Sequence, residues 1–507
     1  MTKYINPIIK GYNPDPSICR VGEDFYLVTS TFEYFPGVPV YHSKNLSDWE
    51  LINHCLIRDS QLNLADCRCS GGIYAPTIRY HEGTFYMITT NVTDKGNFIV
   101  HTNDIRGEWS EPYWVDQQGI DPSLLFDDNG KVYFCSTHND EGCQGIILFE
   151  INPLTGERLS EKEVISHGTG GKYPEAPHLY KINGYYYLMM AEGGTEYGHM
   201  ETILRSKSPY GPYEACPHNP ILSHKDFMGS PIQATGHADI IEDANGNWWL
   251  VCLGIRPLPG VLLHNLGRET FLTPIVWDEN GWPVVGDNGT IALEMEANLP
   301  GDVSQAAQSV DFEDNFDSDV LGLEWNFVRN PKRENYSLAD KKGYLKLSAG
   351  NETLSDSTPT FVGIRQKEFD LCARTKVLVD FTDEGQKAGL SAFYNRDYHY
   401  EIYVTKETEK HYVILSKKVH DLECITQKVE IDYNGMIELQ IETGIQDYTF
   451  SYRLKDDWIL IGTGRTSGLC TEGTKTMTFT GTYLGVFASK AVAYFEHFSA
   501  KKYGHNN

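Results

Sequence analysis

The chain has 507 residues, more than one hydrophobic core usually serves, so two domains are expected. Its 69 acidic and 43 basic side chains give a formal net charge of −26, which argues against nucleic acid and anionic membrane surfaces as partners. No apolar stretch approaches the roughly 20 residues of a membrane-spanning helix, and no secretory signal is visible at the N-terminus. We therefore expect a cytoplasmic protein that acts on a neutral substrate.

One pattern recurs five times among the short β-rich runs of the first 300 residues. A turn residue and a spacer precede an aromatic residue or Val, which is followed by Tyr or Trp and then by aliphatic residues. The Tyr or Trp anchors are Tyr26, Tyr86, Tyr133, Tyr187 and Trp249. They stand about 50 to 60 residues apart, slightly more than a typical propeller blade. The pattern predicts a five-bladed β-propeller over residues 1–300.

A second motif precedes each anchor by 11 or 12 positions, in a short segment that contains Pro or Gly. The residues at these positions are Asp15, Ala75, Asp121, Glu175 and His237. Equivalent positions on the inner strands of a propeller face one central channel, so three carboxylates and one His are predicted to meet there. An alternative interpretation of each carboxylate, taken singly, is that it stabilises a turn or forms a salt bridge. The alternative for the His is a structural role.

The repeat stops beyond Leu293, and residues 298–310 form a polar connector, which predicts a domain boundary there. From Asp311 onward, charged or Gly turns separate strand-length runs such as 344–347, 376–379, 411–415 and 483–488. Long helical periodicity is lacking. The pattern predicts a β-sandwich of the concanavalin or jelly-roll type over residues 311–507, and hence an all-β protein.

Six short motifs in a fixed order resemble glycoside hydrolase family 43, in its β-xylosidase and α-L-arabinofuranosidase group. They are Asn13-Pro14-Asp15-Pro16-Ser17, Phe32-Glu33-Tyr34-Phe35-Pro36-Gly37, Gly71-Gly72-Ile73-Tyr74-Ala75-Pro76, Ile120-Asp121-Pro122-Ser123, Pro174-Glu175-Ala176-Pro177-His178 and Gly267-Arg268-Glu269-Thr270. The resemblance covers essentially the whole chain. It implies the same fold as the repeat does, a five-bladed propeller followed by a β-sandwich.

The resemblance implies a catalytic role for each of the three carboxylates. Asp15 is the expected general base, Glu175 the general acid, and Asp121 the third carboxylate, which orients and tunes the acid. Hydrolysis with inversion needs one carboxylate to activate water and one protonated carboxyl to assist the leaving oxygen, about 6.5 to 9.5 Å apart. A neighbouring anion such as Asp121 is expected to raise the pKa of Glu175 and keep it protonated.

The same resemblance implies a sugar pocket beside these acids. Arg268 is expected to bind sugar hydroxyls, Phe32 and Tyr74 to form apolar walls, and Tyr483 to reach from the sandwich and close the pocket. From the residues alone, the aromatic residues have the alternative of packing in the core, and Arg268 of pairing with a surface acid. No cofactor is expected to be required. His237 marks a candidate Ca²⁺ site in the channel, and a homo-oligomer, a dimer or tetramer, is expected.

The expected function is that of an inverting exo-glycosidase that releases terminal β-D-xylose from xylo-oligosaccharides. The alternative is an α-L-arabinofuranosidase or a bifunctional enzyme, because many β-xylosidases of the group have Trp where Tyr74 stands and His where Thr77 stands. The Tyr-Ala-Pro-Thr form occurs in related α-L-arabinofuranosidases. Two alternatives come from other classes. A non-catalytic carbohydrate-binding protein would bind sugar without releasing it, and a retaining fructan or sucrose hydrolase has Arg where this chain has Ile120.

Overall fold

The structure is a computed structural model that describes residues 1–140, 143–303 and 309–504. It is all-β, as predicted, and the helical elements among the described residues are short 3-10 turns. These turns are Arg333–Asn335, Thr466–Leu469 and Thr471–Gly473. No helix in these ranges is long and apolar enough to cross a membrane. Residues 304–308 of the predicted connector lie outside the described residues.

Five antiparallel sheets form the predicted five-bladed propeller. The first blade contains β2 (Ser17–Val21), β3 (Asp24–Val28), β5 (Gly37–Ser43) and β6 (Glu50–Leu56). The second contains β7 (Thr77–His81), β8 (Thr84–Asn91), β9 (Gly96–Thr102) and β10 (Tyr113–Trp114). The third contains β11 (Ser123–Phe126), β12 (Val132–Asp140), β13 (Cys143–Glu150) and β14 (Glu163–Ser166). The fourth contains β15 (Glu175–Ile182), β16 (Tyr185–Glu192), β17 (Met200–Ser206), β18 (Glu214–Ala215) and β19 (Leu222–Ser223). The fifth contains β20 (Gln233–Glu242), β21 (Trp248–Ile255), β22 (Glu269–Trp277) and β23 (Pro283–Val285).

The aromatic anchors of the sequence repeat lie on the second strand of each blade, where they pack between neighbouring sheets. Of the second motif, Asp15, Ala75 and Asp121 lie two residues before the first strand of their blades, Glu175 begins β15, and His237 lies within β20. The ring of blades is closed by the N-terminal segment, because β1 (Thr2–Ile5) pairs with β24 (Glu294–Ala297). Farther along, the Asn13 N–H donates to the Arg268 carbonyl, 2.9 Å away. The first and fifth blades are therefore joined directly beside Asp15.

The C-terminal domain is a sandwich of two sheets. One sheet contains β26 (Asn326–Val328), β29 (Thr360–Arg365), β31 (Lys387–Asn395), β32 (Tyr398–Glu407), β33 (Lys410–Val419), β34 (Leu422–Ile431) and β38 (Tyr483–Ser489). The other contains β25 (Phe312–Asp314), β27 (Tyr336–Ser337), β28 (Leu345–Ser348), β30 (Leu371–Val379), β35 (Ile437–Glu442), β36 (Asp447–Arg453), β37 (Ile459–Arg465) and β39 (Val492–Lys502). Their inner faces share one apolar core, which alternates with outward polar residues as expected for a sandwich. The four runs predicted from the sequence fall on β28, β30, β33 and β38.

The two domains share a sheet and a core. A short propeller strand, β4 (Tyr34–Phe35), pairs with β26 and so extends a sandwich sheet. Around it, Tyr12 and Phe32 of the propeller pack in one aromatic cluster with Tyr483 and Phe487 of the sandwich. An ion-pair network adds to this contact, since Glu368 lies 2.7 Å from Lys10 and 2.9 Å from Arg256. The sandwich is therefore an integral support of the propeller.

Removing residues 311–507 should leave a propeller that aggregates, because the aromatic cluster around Tyr12, Phe32 and Tyr34 would become an exposed apolar patch. The measurement is the soluble yield and the size-exclusion profile of the truncated chain beside those of the full chain. A soluble, monodisperse propeller would contradict this view of the interface.

Candidate active site

A small pocket opens near the start of the inner strands, and its empty space of about 390 Å³ includes the open mouth. Its lining residues are Asp15, Phe32, Tyr74, Ala75, Ile120, Asp121, Glu175, Thr195, His237, Arg268 and Phe479. All five positions of the second sequence motif are among them. The structure therefore brings together every predicted site residue except Tyr483.

Local backbone geometry turns these side chains into the pocket. Asp15, Asp121 and His237 have left-handed backbones with φ of 56°, 56° and 49°. That conformation is uncommon for residues other than Gly and clusters at functional sites. β-bulges interrupt the ladder of β15 next to Glu175 and the ladder of β20 around His237. A bulge changes the direction in which a side chain points, and both residues line the pocket.

Asp15 is buried and surrounded by donors. Its Oδ2 accepts a hydrogen bond of 2.5 Å from the Ser30 hydroxyl, and its Oδ1 lies 3.0 Å from the Arg268 Nη1. His237 Nδ1 is 3.6 Å from the same Oδ1. A carboxylate held by a hydroxyl and a guanidinium is an acceptor of protons and hydrogen bonds, as a general base must be.

Glu175 and Asp121 have environments that favour the protonated carboxyl. Burial raises the pKa of Glu175 to about 7, with a further contribution from the negative charge of Asp15. Burial also raises the pKa of Asp121, and the charges of Glu175 and Asp15 add to this shift. Asp121 was expected to raise the pKa of Glu175, whereas the shift comes from burial and the charge of Asp15. The Asp121 Oδ2 accepts a hydrogen bond of 3.2 Å from the Ala176 N–H, so it lies against the peptide that follows Glu175.

Arg268 provides a buried cation for the three acids. Besides Asp15 it donates to the Thr195 hydroxyl, 2.9 Å away, and its guanidinium carbon lies 5.5 Å and 5.4 Å from the ring centres of Phe32 and Phe479. Its Nε is buried without a hydrogen-bond partner in the described part of the chain. The guanidinium lines the pocket, so its planar fork of donors lies where a sugar hydroxyl would bind.

Three aromatic rings form one wall of the pocket. Phe32 lies 5.1 Å from Tyr74 and 5.4 Å from Phe479 between ring centres, and Tyr74 lies 5.9 Å from Phe479. Phe479 belongs to the sandwich, and its N–H donates to the Ser70 hydroxyl of the propeller, 2.9 Å away. Such a wall suits the apolar face of a sugar ring.

The prediction that Tyr483 closes the pocket is wrong. Tyr483 is the first residue of β38 and is fully buried in the core between the domains, where it stacks on Tyr34 at 4.1 Å between ring centres. Phe479, four residues earlier in the loop before β38, reaches the pocket instead. Phe479 and Tyr483 belong to one short segment of the chain, and the sequence does not show where its loop ends and the strand begins.

Thr195, Ile120 and Phe479 were missed by sequence reasoning. Thr195 lies in a Gly-Gly-Thr loop whose pattern gives no catalytic signal, and it is identified only by its hydrogen bond from Arg268. Thr77, which departs from the β-xylosidase pattern, does not line the pocket. It is buried, and its hydroxyl donates to the Pro122 carbonyl, 2.9 Å away, between the second and third blades.

His237 is buried at the base of the pocket, and burial lowers its pKa, so the ring is neutral at pH 7. Within residues 1–140, 143–303 and 309–504, no group of three or more His, Cys, Asp or Glu is arranged to hold a metal ion. Calcium prefers six to eight oxygen ligands, whereas His237 offers an imidazole nitrogen beside one carboxylate. The described side chains do not by themselves fit that ion.

Comparisons with known proteins identify both domains. Residues 4–283 match the model for glycosyl hydrolases family 43, and residues 313–501 match the model for the beta xylosidase C-terminal concanavalin A-like domain. A non-reducing end alpha-L-arabinofuranosidase of Bacteroides ovatus is 45% identical over 96% of this chain and 91% of the relative. A xylosidase/arabinosidase of Butyrivibrio fibrisolvens is 42% identical over 80% of each chain. A solved structure described as Bacteroides ovatus xyloglucan PUL GH43B superposes with a TM-score of 0.94 at 42% identity and covers 99% of this chain and 100% of its own.

Two substitutions separate the pocket aromatic residue from the core aromatic residue. Phe479→Ala should raise KM for the sugar substrate about fivefold to tenfold with little change in thermal unfolding, because it removes one wall contact. Tyr483→Ala should lower the free energy of unfolding by about 3–5 kcal/mol, as expected for an emptied aromatic site in a core. Steady-state kinetics and thermal unfolding measure both effects.

Tyr483→Phe is the control, since it keeps the ring and loses only a long contact of 3.4 Å to Asn326. It should match the wild type in both measurements. If Phe479→Ala unfolded like Tyr483→Ala with an unchanged KM, Phe479 would be a core residue.

Proposed function

The chain belongs to glycosyl hydrolases family 43, and we propose that it removes single pentose units from the non-reducing ends of oligosaccharides. Both β-D-xylose and α-L-arabinofuranose are proposed substrates. The observation that carries this proposal is a small pocket in which one carboxylate contacts a guanidinium while two others favour protonation.

The proposed reaction is a single displacement with inversion at the anomeric carbon. Asp15 takes a proton from a water molecule as the water oxygen attacks that carbon, and Glu175 gives its proton to the glycosidic oxygen as the bond to the leaving sugar breaks. Asp15 ends protonated and Glu175 ionised, and proton exchange with solvent restores both groups. The donors around Asp15 and the raised pKa of Glu175 support this division of roles.

Asp121 and Arg268 act as positioning groups in this proposal. The Asp121 carboxyl accepts from the backbone N–H of Ala176 and so fixes the peptide next to the acid. Arg268 orients Asp15, and its guanidinium lines the pocket where a sugar hydroxyl would bind. Phe32, Tyr74 and Phe479 enclose the sugar ring, which supports the release of terminal sugars over cleavage inside a chain.

The names of the relatives support dual specificity. One is named an arabinofuranosidase and the other a xylosidase/arabinosidase. Tyr74, whose ring centre is 5.1 Å from that of Phe32, stands where many β-xylosidases of the group have the larger Trp. The proposed homo-oligomer, the cytoplasmic location and a Ca²⁺ ion in the channel stay predictions.

Hydrolysis rates on two substrates that differ in their leaving group should distinguish the proposed acid, Glu175, from the proposed base, Asp15. Asp15→Asn should lower kcat about 10²- to 10⁴-fold on both xylobiose and 4-nitrophenyl β-D-xylopyranoside, because water activation is needed for each. Glu175→Gln should lower kcat by as much on xylobiose but by much less on the nitrophenyl substrate, because nitrophenolate leaves without a proton. Sugar release measured by chromatography and nitrophenolate absorbance give the rates.

The exposed carboxylate Glu23 lies outside the pocket, so Glu23→Gln serves as the matched control and should keep wild-type rates. The same assays with 4-nitrophenyl α-L-arabinofuranoside measure the preference between the two sugars, and NMR of the first product gives its anomeric form. Full activity of Glu175→Gln on xylobiose, or a product that retains configuration, would reject the proposed mechanism.

Activity should fall as pH rises through about 7, because the catalytic proton on Glu175 is lost there. The free energy of unfolding should also decrease as pH rises. Burial disfavours the ionised carboxyl in the folded state only, so stability is highest below the unfolded pKa and decreases as pH rises through the folded value. Glu175→Gln should therefore unfold at a higher temperature than the wild type at pH 8.5 and at a similar one at pH 4.5. A difference of the same size at both pH values would show that this ionisation does not affect stability.

A further inference from the structure

Tyr173 is an exposed aromatic residue beside the proposed acid. Its exposed fraction is 56%, and only Pro174 separates it from Glu175. A single exposed aromatic residue is ordinary on a protein surface. Tyr173, however, has a left-handed backbone with φ of 53°, which is a costly conformation for a bulky residue and one that persists where the surrounding structure enforces it.

The loop that carries Tyr173 is held in place from below. The buried carboxylate of Glu192 accepts hydrogen bonds from the backbone N–H groups of Thr169 and Gly171, at 2.7 Å and 2.5 Å. The Lys172 carbonyl accepts another from the Gly193 N–H, at 2.7 Å. Tyr173 is thus exposed on an anchored loop, and a ligand that contacts it would not have to order the backbone first.

The ring lies beside a segment that leads into the pocket. A side-chain carbon built on Gly194 would stand 3.4 Å from the Tyr173 Cδ2, so the ring lies against the backbone of Gly194 with no side chain between them. The next residue, Thr195, lines the pocket and receives the hydrogen bond from Arg268. Tyr173 is therefore bracketed by two pocket residues, Glu175 on its own loop and Thr195 on the neighbouring one.

The chemistry fixes which part of the substrate lies on this side. A general acid donates its proton to the oxygen that joins the terminal sugar to the rest of the chain. The leaving sugar must then emerge on the Glu175 side of the pocket. Within the part of the chain that the structure describes, no ring pairs with Tyr173 and no hydrogen bond engages its hydroxyl.

We propose that the ring of Tyr173 is the stacking platform for the first sugar of the leaving group. The terminal pentose occupies the pocket, and the next sugar places its apolar face on Tyr173, while the phenol hydroxyl stays in water. Tyr173 would thus determine how well an oligosaccharide binds relative to a single sugar. This inference rests on the proposed function, because it takes Glu175 to be the acid.

Tyr173→Ala should raise KM for xylobiose about tenfold, with a smaller effect on kcat, since it removes one ring contact to the leaving sugar. The inhibition constant of free xylose, which needs only the pocket, should stay unchanged. Tyr173→Phe keeps the ring and should behave as the wild type. The matched control is Tyr113→Ala, which removes an exposed tyrosine from the outer strand β10 and should leave xylobiose hydrolysis unchanged.

Two outcomes would contradict the proposal that Tyr173 is a stacking platform. One is an unchanged KM for xylobiose in Tyr173→Ala, and the other is an equal loss in Tyr173→Ala and Tyr173→Phe, which would assign the effect to the hydroxyl. Failure of the proposed function has a different signature, namely full xylobiose hydrolysis by Glu175→Gln. When the wild type prefers arabinose, arabinobiose and free arabinose replace the xylose compounds.

Discussion

The contact between Arg268 and Asp15 is the interaction on which the site depends. The pocket encloses three carboxyl groups beside one guanidinium, and a partly dehydrated space cannot hold three unbalanced negative charges. The guanidinium lies 3.0 Å from Asp15, so that carboxylate is the one whose charge is compensated. Burial then favours a proton on the remaining acids, and the pKa of Glu175 rises to about 7. The division into base and acid thus follows from which carboxyl the cation touches.

The second domain holds this cation in place. The sandwich loop before β38 packs on the backbone that precedes Arg268, where the Thr482 N–H donates to the Asn265 carbonyl at 2.8 Å. A side-chain carbon at Gly481 would lie only 2.4 Å from the Leu266 carbonyl oxygen, so glycine is needed for this close approach. The same loop supplies Phe479 to the pocket. A domain with no acid of its own in the site therefore positions the propeller's cation and completes its aromatic wall.

The sequence repeat predicted the fold and the convergence of Asp15, Asp121, Glu175 and His237, because a fivefold register places equivalent residues on equivalent strands. It contained no information on contacts between the domains. Tyr483 and Phe479 belong to one segment of the chain, and only the start of β38 determines which of them is buried against Tyr34. Thr195 was not predictable either, since its role arises from a hydrogen bond to Arg268, 73 residues away in the chain. Periodic features are visible in a sequence, whereas loop contacts depend on the assembled structure.

The channel below the acids explains why the site is a pocket and not a tunnel. Arg79 of the second blade pairs with Asp239 of the fifth at 2.7 Å and contacts His178 of the fourth at 2.9 Å. Ser17 of the first blade also donates to Asp239, at 2.7 Å. Burial alone would raise the pKa of Asp239, but the charge of Arg79 lowers it below its usual range. Arg79 and Asp239 therefore form an ion pair across the channel. Side chains from four blades thus cross the channel and obstruct the passage of a sugar chain through it, which favours release of sugars from a chain end.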